Sequence, residues 1–148
     1  MPDFSHEDIL IAKGFGKIAG VDEAGRGPLA GPVAAAAVIL PRSFTCPLLD
    51  DSKKLSKKKR DLLYAEITGN PEVIWAVATV EADEIDQINI LRATHRAMGL
   101  ALEALKVRPD IALIDGLPVK GLSISHEALV KGDGLSLSIA AASVIAKV

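Results

Sequence analysis

Cysteine is almost absent from this sequence, and so is any long apolar run. The chain has 148 residues and one cysteine, Cys46, so no internal disulfide can form and a reducing compartment is expected. The longest apolar run, residues 33–40, is far shorter than the roughly 20 residues that a transmembrane helix needs. The N-terminus carries acids and lacks the basic and apolar regions of a signal peptide. We therefore expect a cytoplasmic protein with no membrane partner.

Aromatic residues and excess positive charge are also scarce. Phe, Trp and Tyr together make up 3% of the chain, too few for a platform on which nucleic-acid bases stack. The formal net charge is −2, the wrong sign for a protein that coats nucleic acid electrostatically. A nucleic-acid partner would need either a local basic patch or metal ions between acidic side chains and phosphates.

Several chemically versatile side chains are not predicted to form a site. His6, His95 and His126 are scattered, without ligand spacing or a partner cysteine, so we predict no histidine metal site. His95 is expected to face solvent from a long helix. Cys46 is predicted to be structural, and Trp75 is predicted to lie in the core.

The arrangement of apolar and chain-breaking residues predicts one mixed α/β layered domain, residues 1–148. Glycine and proline bound short segments rich in Val, Ile and Ala, a pattern typical of buried strands. The predicted strands are 17–22, 33–40, 72–80, 111–114, 119–125 and 127–130. The predicted helices are 7–13, 56–67, 89–106 and a helix of small residues from about 135, with Ser56 and Asn89 as N-caps.

Acidic residues follow several of the predicted apolar segments. Asp22 and Glu23 end the first strand, Asp115 follows residues 111–114, and Asp133 precedes the last helix. Sites in open α/β sheets cluster at strand ends, and carboxylates that converge raise each other's pKa unless cations separate them. Oxygen-only ligands favour hard ions such as Mg²⁺ or Mn²⁺. Ordinary turn residues with no shared site explain the same positions equally well, and spacing alone does not decide between the two.

Two further segments could bind phosphate. In Gly25-Arg26-Gly27 the glycines would allow a ligand to approach the backbone, and Arg26 could bind a phosphate through two hydrogen bonds. Backbone amides in such a loop could also meet a sugar 2′-OH, although most GxG segments only form turns. Ser52 and Lys53 begin a basic stretch that fits either a phosphate-binding loop or a solvated helix start.

Taken together, these segments resemble the ribonuclease HII family. The segment DEAGRGP at 22–28, followed by AGP at 30–32, resembles the signature of that family and is highly specific. Further blocks match in order: DSKKLS at 51–56, NIL at 89–91, AT at 93–94, IDG at 114–116, KGD at 131–133 and SIAAASVIAKV at 138–148. The resemblance covers nearly the whole chain from Ile18.

The resemblance implies a ribonuclease H-like α/β fold, in which three early antiparallel strands and then parallel strands form a mixed sheet flanked by helices. It implies endonucleolytic cleavage of RNA in RNA–DNA hybrids, including cleavage 5′ to a single ribonucleotide embedded in duplex DNA. The mechanism would use Mn²⁺ or Mg²⁺, with two ions when the substrate is bound. Asp22, Glu23, Asp115 and Asp133 would be the catalytic, metal-binding residues.

The same resemblance implies the substrate contacts. Gly25, Arg26 and Gly27 would contact the 2′-OH at the RNA–DNA junction, and Ser52 and Lys53 would contact the backbone. Two rival functions remain open. One is a module that binds RNA–DNA junctions without cutting them, and the other is a nuclease of the same fold that ignores the 2′-OH.

The sequence departs from the family pattern at two places. Leu135 stands where a basic residue is expected soon after Asp133. The chain ends at Val148, before the Arg-Asp pair, the helix and the tyrosine with which family members continue. We therefore expect a monomer that lacks the C-terminal helical segment, binds metal weakly and cleaves slowly. Apolar surface left exposed by the missing segment could also support self-association.

Overall fold

The computed structural model describes residues 2–25, 31–46, 49 and 56–147, in which five strands form one sheet. The strands are β1 (Ile18–Ala24), β2 (Val33–Ile39), β3 (Ile74–Val80), β4 (Ile111–Asp115) and β5 (His126–Leu129). The helices are α1 (Ser5–Ala12), α2 (Lys57–Gly69), α3 (Ala82–Ile88), α4 (Ile90–Ala104) and α5 (Leu137–Lys147). A 3₁₀ turn, Gly132–Gly134, precedes α5.

The sheet has the order β3-β2-β1-β4-β5 and contains both strand directions. β1 pairs with β2, and β2 with β3, in antiparallel register, whereas β4 runs parallel to both β1 and β5. This confirms the predicted mixed sheet. β1 therefore lies in the middle of the sheet, with the antiparallel part on one side and the parallel part on the other.

Helices cover both faces of the sheet. α4 packs on β2 and β3 through a stripe of buried residues that includes Ala93, Ala97 and Ala101. Every residue from Ser138 to Ala146 of α5 is buried, because this helix lies between β1, β2 and α2. Small side chains on α5 allow this close approach. Two main cores result, one on each face of the sheet, and a third, smaller cluster of buried residues includes Leu10, Ile111 and Ile139.

Both predicted N-caps are present. The Ser56 side chain accepts a hydrogen bond from the Lys59 amide at 3.2 Å, and the Asn89 side chain accepts one from the Arg92 amide at 3.0 Å. Asn89 has φ +72°, in the left-handed region, and separates α3 from α4. Helix α3 was not predicted from the sequence. Two of its seven residues are acids in the first turn, and none of the seven is buried.

Three local predictions were wrong. Residues 119–125 form no strand: the Val119 amide donates to His126 Nε2 at 3.1 Å, and Gly121 has φ +84° in a turn. Trp75 is 36% exposed instead of being in the core, because β3 is an edge strand, and its ring packs edge-to-face on Tyr64 at 6.1 Å. His95 was expected to face solvent, but it is half-buried.

The surroundings of Cys46 fit the structural role expected of it. Cys46 is buried, and its thiol lies 3.4 Å from a carboxylate oxygen of Glu66. Across the residues that the structure describes, none of the helices combines the length and the apolar character needed to cross a bilayer.

Candidate metal centre

Three carboxylates meet where β1 and β4 end. The two strands are parallel neighbours, with Val21 beside Ile114, so the next residues, Asp22 and Asp115, emerge at the same edge of the sheet. Asp133 comes from the 3₁₀ turn before α5. One carboxylate oxygen from each of these aspartates lies within 4.8 Å of the other two. Three of the four predicted acids therefore share one location.

The turn that carries Asp133 is held directly against Asp115. The Gly132 amide donates to Asp115 Oδ1 at 2.7 Å. A Cβ atom on Gly132 would lie 2.7 Å from Ile139 Cδ1 and 3.1 Å from Leu129 Cβ, so no larger residue fits without displacing its neighbours. Asp133 itself is 2% exposed. The glycine therefore lets the turn approach β4 and brings the two carboxylates together.

A second glycine brings α5 onto β1. A Cβ atom on Gly20 would overlap the backbone carbonyl group of Ser138, in the first turn of α5. Gly20 lies two residues before Asp22, and side chains at i and i+2 of a strand share a face. The helix that follows Asp133 is thus seated on the strand that carries Asp22.

Burial makes the Asp22 carboxyl group resist ionisation. Asp22 is 4% exposed, and desolvation raises its pKa to about 9, with further contributions from the negative charges of Asp115 and Glu23. The Glu23 amide donates to Asp22 Oδ1 at 2.8 Å and acts in the opposite direction. Without a cation, Asp22 therefore keeps its proton at neutral pH, and a bound cation would take the place of that proton.

Glu23 stands beside this cluster but is not one of the three converging acids. Glu23 follows Asp22 directly in β1, and a hydrogen bond between the two side chains is one of the causes of the raised pKa of Asp22. It is half-buried, and its charge still contributes to the raised pKa of Asp22.

One predicted substrate contact lies in the described part of the chain. Gly25 has φ +91° and is exposed, and a Cβ atom there would overlap the carbonyl oxygen of Pro32. Both facts require glycine at this position. Arg26, Gly27, Ser52 and Lys53 lie outside the described residues.

The oxygen donors fit a hard divalent cation. Asp22, Asp115 and Asp133 supply oxygen alone, the ligand type that Mg²⁺ and Mn²⁺ prefer. Two of the three are almost fully buried, and buried carboxylates require protonation or a positive partner. A divalent ion would supply that partner.

A basic groove that was not predicted from the sequence lies between α4 and the chain segment after Asp115. The groove has a volume of about 780 Å³. Its charged lining residues are Arg92, His95, Arg96, Glu103 and Lys120. Arg96 forms an ion pair with Glu84 at 2.6 Å. The spacing of Arg92 and Arg96, one helical turn apart, was the available signal.

Comparison with known proteins identifies the family. Residues 19–148 match the family model described as Ribonuclease HII. The chain belongs to the ribonuclease HII family. It is 58% identical over 135 residues to the ribonuclease HII of Syntrophus aciditrophicus, covering 91% of this chain and 63% of that protein. It is 57% identical over 148 residues to the ribonuclease HII of Cereibacter sphaeroides, covering 99% of this chain and 69% of that protein.

Solved structures agree with the ribonuclease HII assignment. The crystal structure of the ribonuclease H2 from Pyrococcus horikoshii superposes with a TM-score of 0.73 at 26% identity, over 89% of this chain and 71% of that one. The ribonuclease H-like fold expected from the sequence is therefore confirmed. The chain spans 63–69% of the length of the two bacterial ribonuclease HII relatives.

Proposed function

We propose that this chain is a metal-dependent endoribonuclease that cleaves the RNA of RNA–DNA hybrids, including 5′ to a single ribonucleotide embedded in duplex DNA. The observation that carries the proposal is the convergence of Asp22, Asp115 and Asp133 in a chain of the ribonuclease HII family. Oxygen clusters of this kind suit phosphodiester hydrolysis, in which negative charge develops on the attacking and leaving oxygens.

The acidic residues hold divalent cations in this proposal. Asp22, Asp115 and Asp133 would bind Mn²⁺ or Mg²⁺, and Glu23 would complete the set when the substrate is present. Two bound ions would supply an activated water and stabilise the departing 3′ oxygen. Asp22 gives up its proton as a cation binds, because its pKa of about 9 reflects burial and neighbouring negative charge. The carboxylates act as ligands and need not act as bases.

The residues beside the acids would choose the substrate. Gly25, Arg26 and Gly27 would contact the 2′-OH of the ribonucleotide at the junction, which is the group that distinguishes RNA from DNA. Ser52 and Lys53 would bind the phosphate backbone. Support for the first contact comes from Gly25, whose exposed backbone lies three residues after Asp22 and tolerates no side chain.

The basic groove extends the proposed substrate contact beyond the acids. Leu117 and Pro118 line it and follow Asp115 almost directly in the chain, so the groove begins beside the proposed cleavage site. Arg92 and Lys120 are exposed there and suit phosphate groups of a bound duplex. Although the net charge of −2 opposes nucleic-acid binding, this local patch of positive charge could attract the phosphates. We propose that a monomer is sufficient for this contact.

The test is cleavage of three matched duplexes: all DNA, DNA with one ribonucleotide, and an RNA–DNA hybrid, each with Mg²⁺ and with Mn²⁺. We expect a cut 5′ to the single ribonucleotide and cuts within the hybrid, but none in DNA. Asp22→Asn and Asp133→Asn should lower the rate by at least about 100-fold, because loss of a ligand should cost more than the roughly 10–100-fold that loss of a residue orienting a ligand costs. Asp61→Asn, an exposed acid on α2, is the matched control and should cleave normally.

Other outcomes would select a rival function. Equal cleavage of the all-DNA duplex would refute recognition of the 2′-OH and favour a less selective nuclease. Binding to the junction in Ca²⁺ without cleavage in Mg²⁺ or Mn²⁺ would favour a binding module.

A further inference from the structure

A buried acid outside the metal cluster contacts the helix that follows Asp133. Glu7 lies on α1 and is 3% exposed, whereas its neighbour Asp8 is exposed and paired with Arg42 at 2.8 Å. Burial of a carboxylate is strongly unfavourable unless hydrogen bonds or charges compensate for it. The buried Glu7 carboxyl group therefore needs hydrogen-bond partners inside the protein.

The partners of Glu7 are the first residues of α5. Glu7 Oε2 accepts from the Ser136 hydroxyl at 2.8 Å and from the Ser138 amide at 3.0 Å. The Ser136 hydroxyl in turn accepts from the Ile139 amide at 3.2 Å. Glu7 and Ser136 together therefore cap α5. A carboxylate is also favoured at this end of a helix, where unpaired amides carry partial positive charge.

The rest of the N-terminal segment completes the cap. The Leu137 amide donates to the Asp3 carbonyl at 2.9 Å, and the Asp3 amide donates to the Leu135 carbonyl at 3.2 Å. The amides at the start of a helix have no partner within the helix and must find one elsewhere. Here Asp3 and Glu7 provide two of those partners from more than 120 residues away in sequence.

The capped turn is continuous with the turn that carries Asp133. The Ser136 amide donates to the Gly132 carbonyl at 2.8 Å, and Gly132 packs on Ile139 of the first turn of α5. The Gly132 amide donates to Asp115 Oδ1. A shift of the α5 N-terminus therefore moves both the Asp133 turn and the hydrogen bond that orients Asp115.

We propose that Glu7 is a positioning residue for the metal centre, holding the N-terminus of α5 so that Asp133 and Asp115 present their oxygens to a cation. Glu7 acts through Ser136 and Gly132 and does not touch the ion. The inference rests on the proposed metal site but not on the identity of the nucleic-acid substrate.

The test measures Mn²⁺ affinity of the 148-residue chain by calorimetry, together with the Gly132 amide resonance of the metal-free protein. Glu7→Ala should weaken Mn²⁺ binding by about tenfold and shift the Gly132 resonance, because loss of a group that orients metal ligands has effects of this size. Glu7→Gln keeps an acceptor oxygen and should restore affinity to within about twofold.

Asp110→Ala is the matched control for simple destabilisation. The Asp110 carboxylate also accepts two backbone amides, from Gly16 and Lys17 at 2.9 Å each, but at the opposite end of β4. This variant should lower the melting temperature and leave Mn²⁺ affinity and the Gly132 resonance unchanged. An equal loss of affinity in Asp110→Ala would overturn the proposal, and so would unchanged affinity in Glu7→Ala.

Failure of the proposed metal site and failure of the positioning role would give different results. If the unmodified chain binds no Mn²⁺, the proposed metal site fails, and the Gly132 resonance of the metal-free variants still tests the positioning role. If Glu7→Ala does not fold, Ser136→Ala removes one part of the cap and should give a smaller loss of affinity in the same direction. A Ser136→Ala variant with unchanged affinity and an unchanged Gly132 resonance would overturn the role of the cap.

Discussion

Asp22 occupies an unfavourable position for a charge within the candidate metal centre. It is 4% exposed and lies beside Asp115 and Glu23, and these surroundings raise its pKa from the ordinary 3.8 to about 9. The residue is therefore suited to exchange a proton for a cation. A surface aspartate with the ordinary pKa is already ionised at neutral pH, so it would bind a cation without releasing a proton.

This pKa predicts how cation binding depends on pH. At the proposed site, each Mn²⁺ that binds below pH 9 would displace the Asp22 proton, so affinity should rise by about tenfold per pH unit between pH 6 and pH 8. Calorimetry in buffers of different ionisation enthalpy should detect about one proton released at pH 7. Binding that is independent of pH over this range would show that Asp22 is ionised in the free protein.

The same pKa predicts the stability of the metal-free chain. The folded-state pKa lies above the unfolded value, so between about pH 4 and pH 9 the folded chain binds a proton that the unfolded chain has released. The contribution of Asp22 to stability is therefore present below pH 4 and is lost as pH rises toward 9. Urea titrations of the unmodified chain should show this decline, and Asp22→Asn should reduce it.

The roles of some residues could be predicted from the sequence, and those of others could not. Asp22, Asp115 and Asp133 stood out as acids that follow apolar segments, but their spacing fits turn residues equally well, and only the family resemblance assigned them to one metal site. Glu7 was not predicted, since nothing in a short helix with two adjacent acids tells which one is buried. That distinction depends on α5, far away in sequence.

Helix α5 packs so closely on β1 that no side chain fits at Gly20. Gly20→Ala would place a methyl group into the backbone of Ser138, and backbone cannot move aside as a side-chain tip can. We expect a loss of about 3 kcal/mol in the free energy of unfolding, at the upper end for overpacking. Denaturant unfolding measures it.

Gly69→Ala provides the comparison. Gly69 ends α2 and has open space around the position of a Cβ atom, so alanine there should be neutral or stabilise the fold by up to about 1 kcal/mol. Equal stabilities of the two variants would mean that α5 can move away from β1 without loss.

The start of α4 supplies a second test at this scale. Asn89 has φ +72° and caps the Arg92 amide, so Asn89→Ala loses the cap and forces alanine into the left-handed region. We expect a loss of about 2 kcal/mol in the free energy of unfolding. Asn89→Gly relieves the backbone strain but also lacks the capping side chain. It should therefore lose less stability than Asn89→Ala. An alanine variant as stable as the glycine variant would contradict the strain argument.

Elements were predictable where local pattern and tertiary packing agree. The apolar stripe of α4 and the caps at Ser56 and Asn89 appear in the sequence itself. Residues 119–125 read as a strand because Val119, Leu122 and Ile124 are apolar. In the fold these side chains pack onto the α4 core from a turn-rich segment, so burial occurs without strand pairing.

At the scale of the whole molecule, the basic groove concentrates positive charge on a chain whose net charge is negative. Arg92→Ala and Lys120→Ala should each weaken binding of an RNA–DNA duplex and lower the slope of log affinity against log salt by about 1. Lys13→Ala, an exposed lysine after α1, should leave both unchanged. Fluorescence anisotropy in Ca²⁺ over a salt series would measure the effect. Salt slopes that match the unmodified chain would remove the groove from the interface.

The overall architecture was predictable as a class and from the resemblance. The alternation of strands and helices indicated a layered α/β domain, but the sequence contains no direct signal that β4 inserts beside β1. Strand order depends on pairings between distant residues, and the family resemblance implied antiparallel strands followed by parallel ones without giving their order. The groove was missed because its two sides come from separate segments.

The pairing of β1 with β4 also bears on how the chain folds. Val21 and Ile114 become neighbours although about 90 residues separate them, and closing so large a loop is a slow step in folding. The antiparallel part of the sheet, β1, β2 and β3, joins residues that are closer in sequence than Val21 and Ile114, but it contains only one of the three converging aspartates. The proposed cation site would therefore be complete only after the parallel half of the sheet has docked, and uptake of Mn²⁺ during refolding would time that event.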